Sequence, residues 1–169
     1  MAGMFRKWVR RLGYDISSFP GSSAHWVHIV ETLRSHEIDY VLDIGANTGQ
    51  YARAIRTNGY CGKIISFEPL SHIRAELEQH AAKDHLWDIA PRTAVGAIDG
   101  KVEINVSGES DMSSILPLDT TAHERLASTR AATSETVPVT TVAKILNNRA
   151  ATAKNVFLKS DTQGYEDQV

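Results

Sequence analysis

Two short apolar runs flank a glycine turn and a stretch of helical period, and the rest of the chain is arranged around them. Tyr40-Val41-Leu42-Asp43-Ile44 leads into Gly45-Ala46-Asn47-Thr48-Gly49. From Gln50 to Ile55 the apolar positions recur at helical spacing, and a second run, Lys63-Ile64-Ile65-Ser66-Phe67, stops at Glu68-Pro69. This reads as strand, turn, helix, strand and terminal acid, a βαβ unit. Upstream, the pattern predicts a helix over 24–36 with Trp26, Ile29, Val30 and Leu33 on its buried side.

Downstream, a helix is predicted over 71–83, with Ile73 and Leu77 inward and Ser71 as N-cap. Thr93 to Ile98 and the strictly alternating Lys101 to Val106 flank Asp99-Gly100, a strong signal for a two-residue hairpin. Residues 107–130 are polar and irregular, a long excursion of the kind that is often functional. Val137 to Val142 contains Pro138 and predicts a short edge-type strand, and a helix follows over 143–148. Val156-Phe157-Leu158 predicts a buried strand, with Asp161 and Gln163 emerging at its carboxyl end, the edge at which open α/β sheets bind ligands.

Composition narrows the class. With 169 residues the chain can form one domain with a real core. Hydrophobic residues make up 42% and charged residues 22%, a globular composition. A net charge of -2 argues against a general nucleic-acid binder. The one cysteine, Cys61, forms no intrachain disulfide and suits a cytoplasmic protein. No run reaches the ~18 apolar residues of a membrane span. Residues 1–23 read as a basic amphipathic segment and linker ahead of a domain over 24–169. Within it Met4, Phe5, Trp8 and Leu12 share a face beside Arg6, Lys7, Arg10 and Arg11. Residues 1–14 could therefore touch a membrane interface peripherally, at its inner face, or pack on the domain. His25 and His28 share a helix face, but no spaced set of further ligands accompanies them, so no metal site is expected.

The turn narrows the chemistry. Glycines let a backbone bend sharply and approach a ligand. Glu68 lies 23 residues after Gly45, close to the spacing of about 20 at which an acid meets ribose hydroxyls. The pattern is G-x-x-x-G, without the middle glycine of a dinucleotide site, and no Gly-Lys-Ser/Thr follows to cradle phosphates. A nucleoside without a pyrophosphate fits, and S-adenosylmethionine is such a molecule. Its amino-acid end would meet the amides of Gly45, Ala46, Asn47 and Gly49 together with Asp43, and its ribose would meet Glu68. A nicotinamide-dependent oxidoreductase is disfavoured by the missing glycine.

Val-Leu-Asp-Ile-Gly-Ala-Asn-Thr-Gly at 41–49, Ser-Phe-Glu-Pro-Leu at 66–70 and Leu-Lys-Ser-Asp-Thr-Gln-Gly-Tyr-Glu at 158–166 together resemble the FkbM-type methyltransferases. Ser113-Ser114 and the Val-Pro-Val-x-Thr run at 137–141 are similar to that family as well. The resemblance implies a Rossmann-like α/β fold of seven strands with helices on both faces. It implies S-adenosylmethionine as methyl donor and a hydroxyl acceptor on a sugar, glycolipid or polyketide-type molecule. By position, Asp43, Gly45, Asn47 and Gly49 would hold the methionine end and Glu68 the ribose, while Asp161 and Gln163 would line the site beside the methyl group. Asp161 is the candidate base or acceptor-orienting group, or else a cap on the helix that follows, and Lys159 is a lesser candidate helper. The family often carries Leu-Asp after the Val-x-Val-x-Thr run, where this chain has Val142-Ala143.

Family members continue beyond the Gln-Gly-x-Glu block into further strands, so a sheet without its last strands is expected, with one edge of 156–158 open to self-association. Two functions follow: an O-methyltransferase, or a shortened, inactive relative that binds the cofactor or a partner chain.

Overall fold

The computed structural model describes residues 22–106, 133–162 and 166–169. The expectations for residues 1–14, for the excursion at 107–130 and for Gln163 lie outside the described residues.

A helix, α1 (Ser22–Ser35), precedes β1 (Tyr40–Ile44), α2 (Gln50–Thr57), β2 (Lys63–Phe67), α3 (Ser71–Ala81) and β3 (Trp87–Ile89). Then come β4 (Ala94–Val95), β5 (Gly100–Val106), β6 (Thr133–Thr140), α4 (Val142–Arg149) and β7 (Val156–Ser160). A short 3-10 turn spans Glu166–Gln168. Four strands form a parallel sheet in the order β3-β2-β1-β7. All five residues of β1 are buried, as expected of a parallel strand covered on both faces. The two faces follow the period of two along each strand. Val41 and Ile64 pack beneath α1, α2 and α3 against Val30, Leu33, Ala52, Ile55 and Leu77. Leu42, Ile44, Ile65 and Phe67 face the opposite way, toward Ile145 of α4. The α/β layering with helices on both faces is therefore the expected Rossmann-like one.

After β1 the chain crosses by way of α2 to β2 on one side, while β7 lies on the other. The strand order thus reverses at β1, and the crevice at the carboxyl ends of β1 and β7 is the switch point at which such sheets bind ligands. Asp39, just before β1, accepts hydrogen bonds from the backbone of Lys154 and Asn155 and so fixes the start of β7. Arg56, in the last turn of α2, donates to Asp84, Tyr60 O, Gly62 O and Leu86 O, tying this helix to the entrances of β2 and β3.

The smaller sheet departs from expectation. Asp99-Gly100 does not join two paired strands, because β6 lies between β4 and β5. It is parallel to β4 and antiparallel to β5. The β5–β6 ladder runs over the whole of β5, from Gly100↔Val139 to Val106↔Thr133, whereas β4 is only two residues long. The long ladder takes precedence over the local turn. It also makes β6 a central strand rather than an edge. Pro138 is tolerated there because the pairing with β4 begins only at Val139. The apolar face of this sheet (Ala94, Ile104 and Val137) packs on Leu70 and Ile73 of the α3 region.

Ser71 is the first residue of α3 rather than its cap, and the preceding Leu70 offers no capping side chain. A carboxylate from β6 takes that place. Glu135 accepts hydrogen bonds from Ser71 N and Ser71 Oγ, where negative charge also complements the helix dipole. The strand at 156–158 is half-buried rather than buried. As β7 it lies at one edge of the main sheet among the described residues, and Leu158 is 39% exposed.

Gly49 precedes α2 at φ 85, and a Cβ there would lie 2.7 Å from the Trp87 ring and 3.0 Å from Leu77. Gly49→Ala should therefore cost about 2–4 kcal/mol, from left-handed strain plus overpacking. Urea unfolding checks this, and a loss below about 1 kcal/mol would show that the ring steps aside.

Candidate functional site

At the carboxyl ends of β1 and β7 lies a cavity of about 420 Å³, within the range of about 300–1,000 Å³ usual for small-molecule sites. Gly45, Ala46, Asn47, Glu68, Lys159 and Asp161 line it. Of the residues singled out from the sequence, Asp43 and Gly49 do not. Asp43 is fully buried beneath the cavity floor, and Gly49 faces the core.

The turn is held from within. Gly45 N and Ala46 N donate to Phe67 O, Gly49 N donates to Ala46 O, and Thr48 N donates to the side chain of Asn47. Asn47, in the left-handed region at φ 50, donates its N–H to Glu68 Oε2. Every N–H from Gly45 to Gly49 is thus paired inside the chain. Gly45 has a packing reason as well. Its φ is 70, and a Cβ would lie 2.0 Å from Asp161 O, where the backbone leaving β7 crosses the turn.

Glu68 is 5% exposed and forms part of the cavity wall. Besides Asn47 N it accepts from Leu70 N at 2.9 Å. Burial pushes its carboxyl above the usual range, and the two backbone bonds oppose that shift. A carboxylate has about four lone-pair sites, so two bonds leave capacity for ligand hydroxyls.

Beneath the floor, a polar row crosses the sheet. Trp87 Nε1 donates to Ser66 Oγ at 3.0 Å, Ser66 Oγ donates to Asp43 Oδ2 at 3.1 Å, and Lys159 Nζ lies 3.1 Å from Asp43 Oδ1. Register explains the alignment, since Asp43 sits opposite Ser66 on one side and Lys159 on the other. Burial pushes the Asp43 carboxyl up, and the Lys159 charge opposes it. Lys159 Nζ also donates to Gly45 O at 2.9 Å and Ile44 O at 3.3 Å, and it stands 5.9 Å from the centre of the Tyr51 ring.

Asp161 is placed at the mouth, its side chain 59% exposed and Oδ2 3.9 Å from Lys159 Nζ. The N–H of the next residue, Thr162, donates to Glu166.

Three lining residues carried no ligand signal in the sequence. Trp26 was legible only as a buried position of α1, yet it forms part of the wall, edge-on to Tyr51 at 5.7 Å. The hydroxyls of Tyr51 and Thr162 are buried without a hydrogen-bond partner among the described residues. The cavity has two characters. Leu70, Ile73, Val95 and Ile104 make one end apolar, whereas Gln50, Tyr51, Lys159, Asp161 and Thr162 make the other polar.

Burial, followed by the Asp43 charge, pushes the Tyr51 phenol up to about 12. A folded value above the unfolded one of about 10 means that stability is intact below pH ~10 and lost as pH climbs toward 12. Tyr51→Phe removes an unsatisfied hydroxyl, so it should leave stability at neutral pH unchanged or raised by up to about 1 kcal/mol. The same variant should move the alkaline unfolding limb to higher pH. Denaturation across pH 7–12 measures both effects, and a clear loss at neutral pH would reveal a partner for the hydroxyl.

No curated protein and no solved structure matches this chain. The Methyltransferase FkbM domain matches residues 43–169, from Asp43 through the glycine turn to the end of the sequence, leaving α1 and Trp26 upstream of it. The acid after β2, the turn after β1 and the cavity between them lie within that span, and the chain belongs to the FkbM methyltransferase family.

Proposed function

We propose that the chain binds S-adenosylmethionine in this cavity and transfers its methyl group to a hydroxyl oxygen of a sugar, glycolipid or polyketide-type acceptor. The observation that carries the reading is the Glu68 carboxylate. It is fixed by Asn47 N and Leu70 N in the cavity wall, where it can accept both hydroxyls of a ribose. On one side of it, Leu70, Ile73, Val95 and Ile104 form an apolar wall suited to a purine. On the other, Asn47, Gln50 and the first turn of α2 suit a charged amino-acid end, because the first N–H groups of a helix lack intrahelical partners. Gly45 and Ala46 form the floor between them.

When bound, the cofactor supplies a methyl group on a positively charged sulfur. The protein then has to align the acceptor oxygen with it and receive a proton. Asp161 is the group for that proton, since its carboxylate stands at the mouth beside the turn; Gln163 remains a candidate to line the same side. The competing reading is a relative that binds the cofactor without turnover. It predicts S-adenosylmethionine binding but no release of labelled methyl to any hydroxyl acceptor.

Calorimetric titration should detect binding of S-adenosylmethionine and S-adenosylhomocysteine and none of NAD. Glu68→Ala should weaken binding by about 1.5–3 kcal/mol, the range of a hydrogen bond to a charged group. Glu68→Gln, which retains an acceptor for Asn47 N, should lose less. Unchanged affinity in Glu68→Ala would remove the ribose assignment.

We also propose self-association through β7. Its outer edge has no strand partner among the described residues, and open apolar edges recruit other chains. Sedimentation should show mass above the monomer, reduced in Phe157→Lys; a monomer at all concentrations would remove this proposal.

A further inference from the structure

Lys159 occupies an unusual position for a cation. Its side chain is 17% exposed, and three oxygens surround Nζ within 3.3 Å: Gly45 O, Asp43 Oδ1 and Ile44 O. An ammonium has three N–H groups and no lone pair. Two of its N–H groups are thus given to the carbonyls of Ile44 and Gly45, and its charge faces the carboxylate beneath the turn. The oxygens come from β1 and its exit, whereas the nitrogen comes from β7, 114 residues away from Gly45 in sequence. The turn's amides are already tied to β2 through Phe67 O and Glu68. The Gly45 carbonyl is tied to β7 by this side chain, and the Ile44 carbonyl at the end of β1 receives both this side chain and Asp161 N.

We propose that Lys159 is a positioning residue that clamps the carbonyl side of the cofactor turn to β7, with Asp43 as the buried counter-charge that keeps the ammonium in place. The turn is then held on both sides, by Glu68 through an N–H and by Lys159 through C=O groups. This deepens the methyltransferase reading and rests on it for the identity of the ligand.

The test uses the full ligand-free chain and hydrogen exchange of individual amides. Lys159→Met alone leaves a buried carboxylate unmatched and can fail to fold, so Lys159→Met is combined with Asp43→Asn, which removes both charges. In that double variant, protection of the Gly45 and Ala46 amides should fall at least tenfold while amides within β2 stay within about twofold of the parent. Lys159→Arg, which keeps the charge and the donors, should recover most of the loss. Unchanged protection at the turn would overturn the clamp, and so would an equal loss through β2, which would make the pair merely structural.

The same chains titrated with S-adenosylhomocysteine separate the two readings. Loss of turn protection with no binding by the parent chain retains the clamp and removes the cofactor assignment. Binding by the parent with an unaltered turn in the double variant removes the clamp alone. Both supported predicts affinity at least tenfold weaker in the double variant.

Discussion

A fully buried carboxylate at the centre of a parallel sheet is costly unless it is matched, and Asp43 is matched from both neighbouring strands. Ser66 supplies a hydroxyl from β2 and Lys159 an ammonium from β7. Trp87 extends the row to β3, so each of the four strands contributes one member. The row lies on the face covered by α1, α2 and α3, among Val41, Ile64 and Leu77. One-residue slippage of any strand would send its member to the opposite face. The polar row therefore fixes register in a sheet whose apolar residues alone would tolerate alternatives. It does so directly below the glycine turn, so register and cavity shape share one determinant.

The cavity inherits its two characters from the two sheets. The parallel sheet presents strand ends, a turn and charged side chains. The smaller sheet presents apolar side chains, those of Ala94, Val95 and Ile104. Their junction is held by polar contacts on Glu135, which joins the start of α3 to Arg92 as well as to β6. Those bonds keep the carboxyl below its ordinary range against the opposing effect of burial. A ligand that is apolar at one end and charged at the other is complementary to such a junction without any rearrangement of the strands.

Local information made the βαβ unit legible. The period changes at Gln50 and again at Lys63, and the acid at Glu68 is a short-range feature. The small sheet was not legible in the same way. Asp99-Gly100 reports a bend, whereas the ladder that organises the sheet pairs Gly100 with Val139, a contact that no local signal encodes. Asp43 shows a different limit. Its place in an apolar run of period two already put it on the same face as Val41, but its ion-pair partner was not legible there. That partner is Lys159, which only the tertiary fold brings near. Trp26 was legible as an inward-facing helix residue, and it both packs against the core and lines the cavity.

The crossing of β7 over Gly45 has a kinetic corollary. Helix α2, its flanking strands and the turn between them contact one another within a short stretch of sequence, and such contacts form quickly. The floor of the cavity has no such advantage. Asp161 N bonds Ile44 O, and Asn155 N bonds Asp39, each across well over a hundred residues. Ring closure over that span costs entropy that only later contacts repay. During synthesis the turn can take shape soon after residue 70 emerges, but its underside stays open until the strand bearing Lys159 arrives. The nascent chain thus passes through an interval in which Glu68 and the turn are formed but the cavity is not closed.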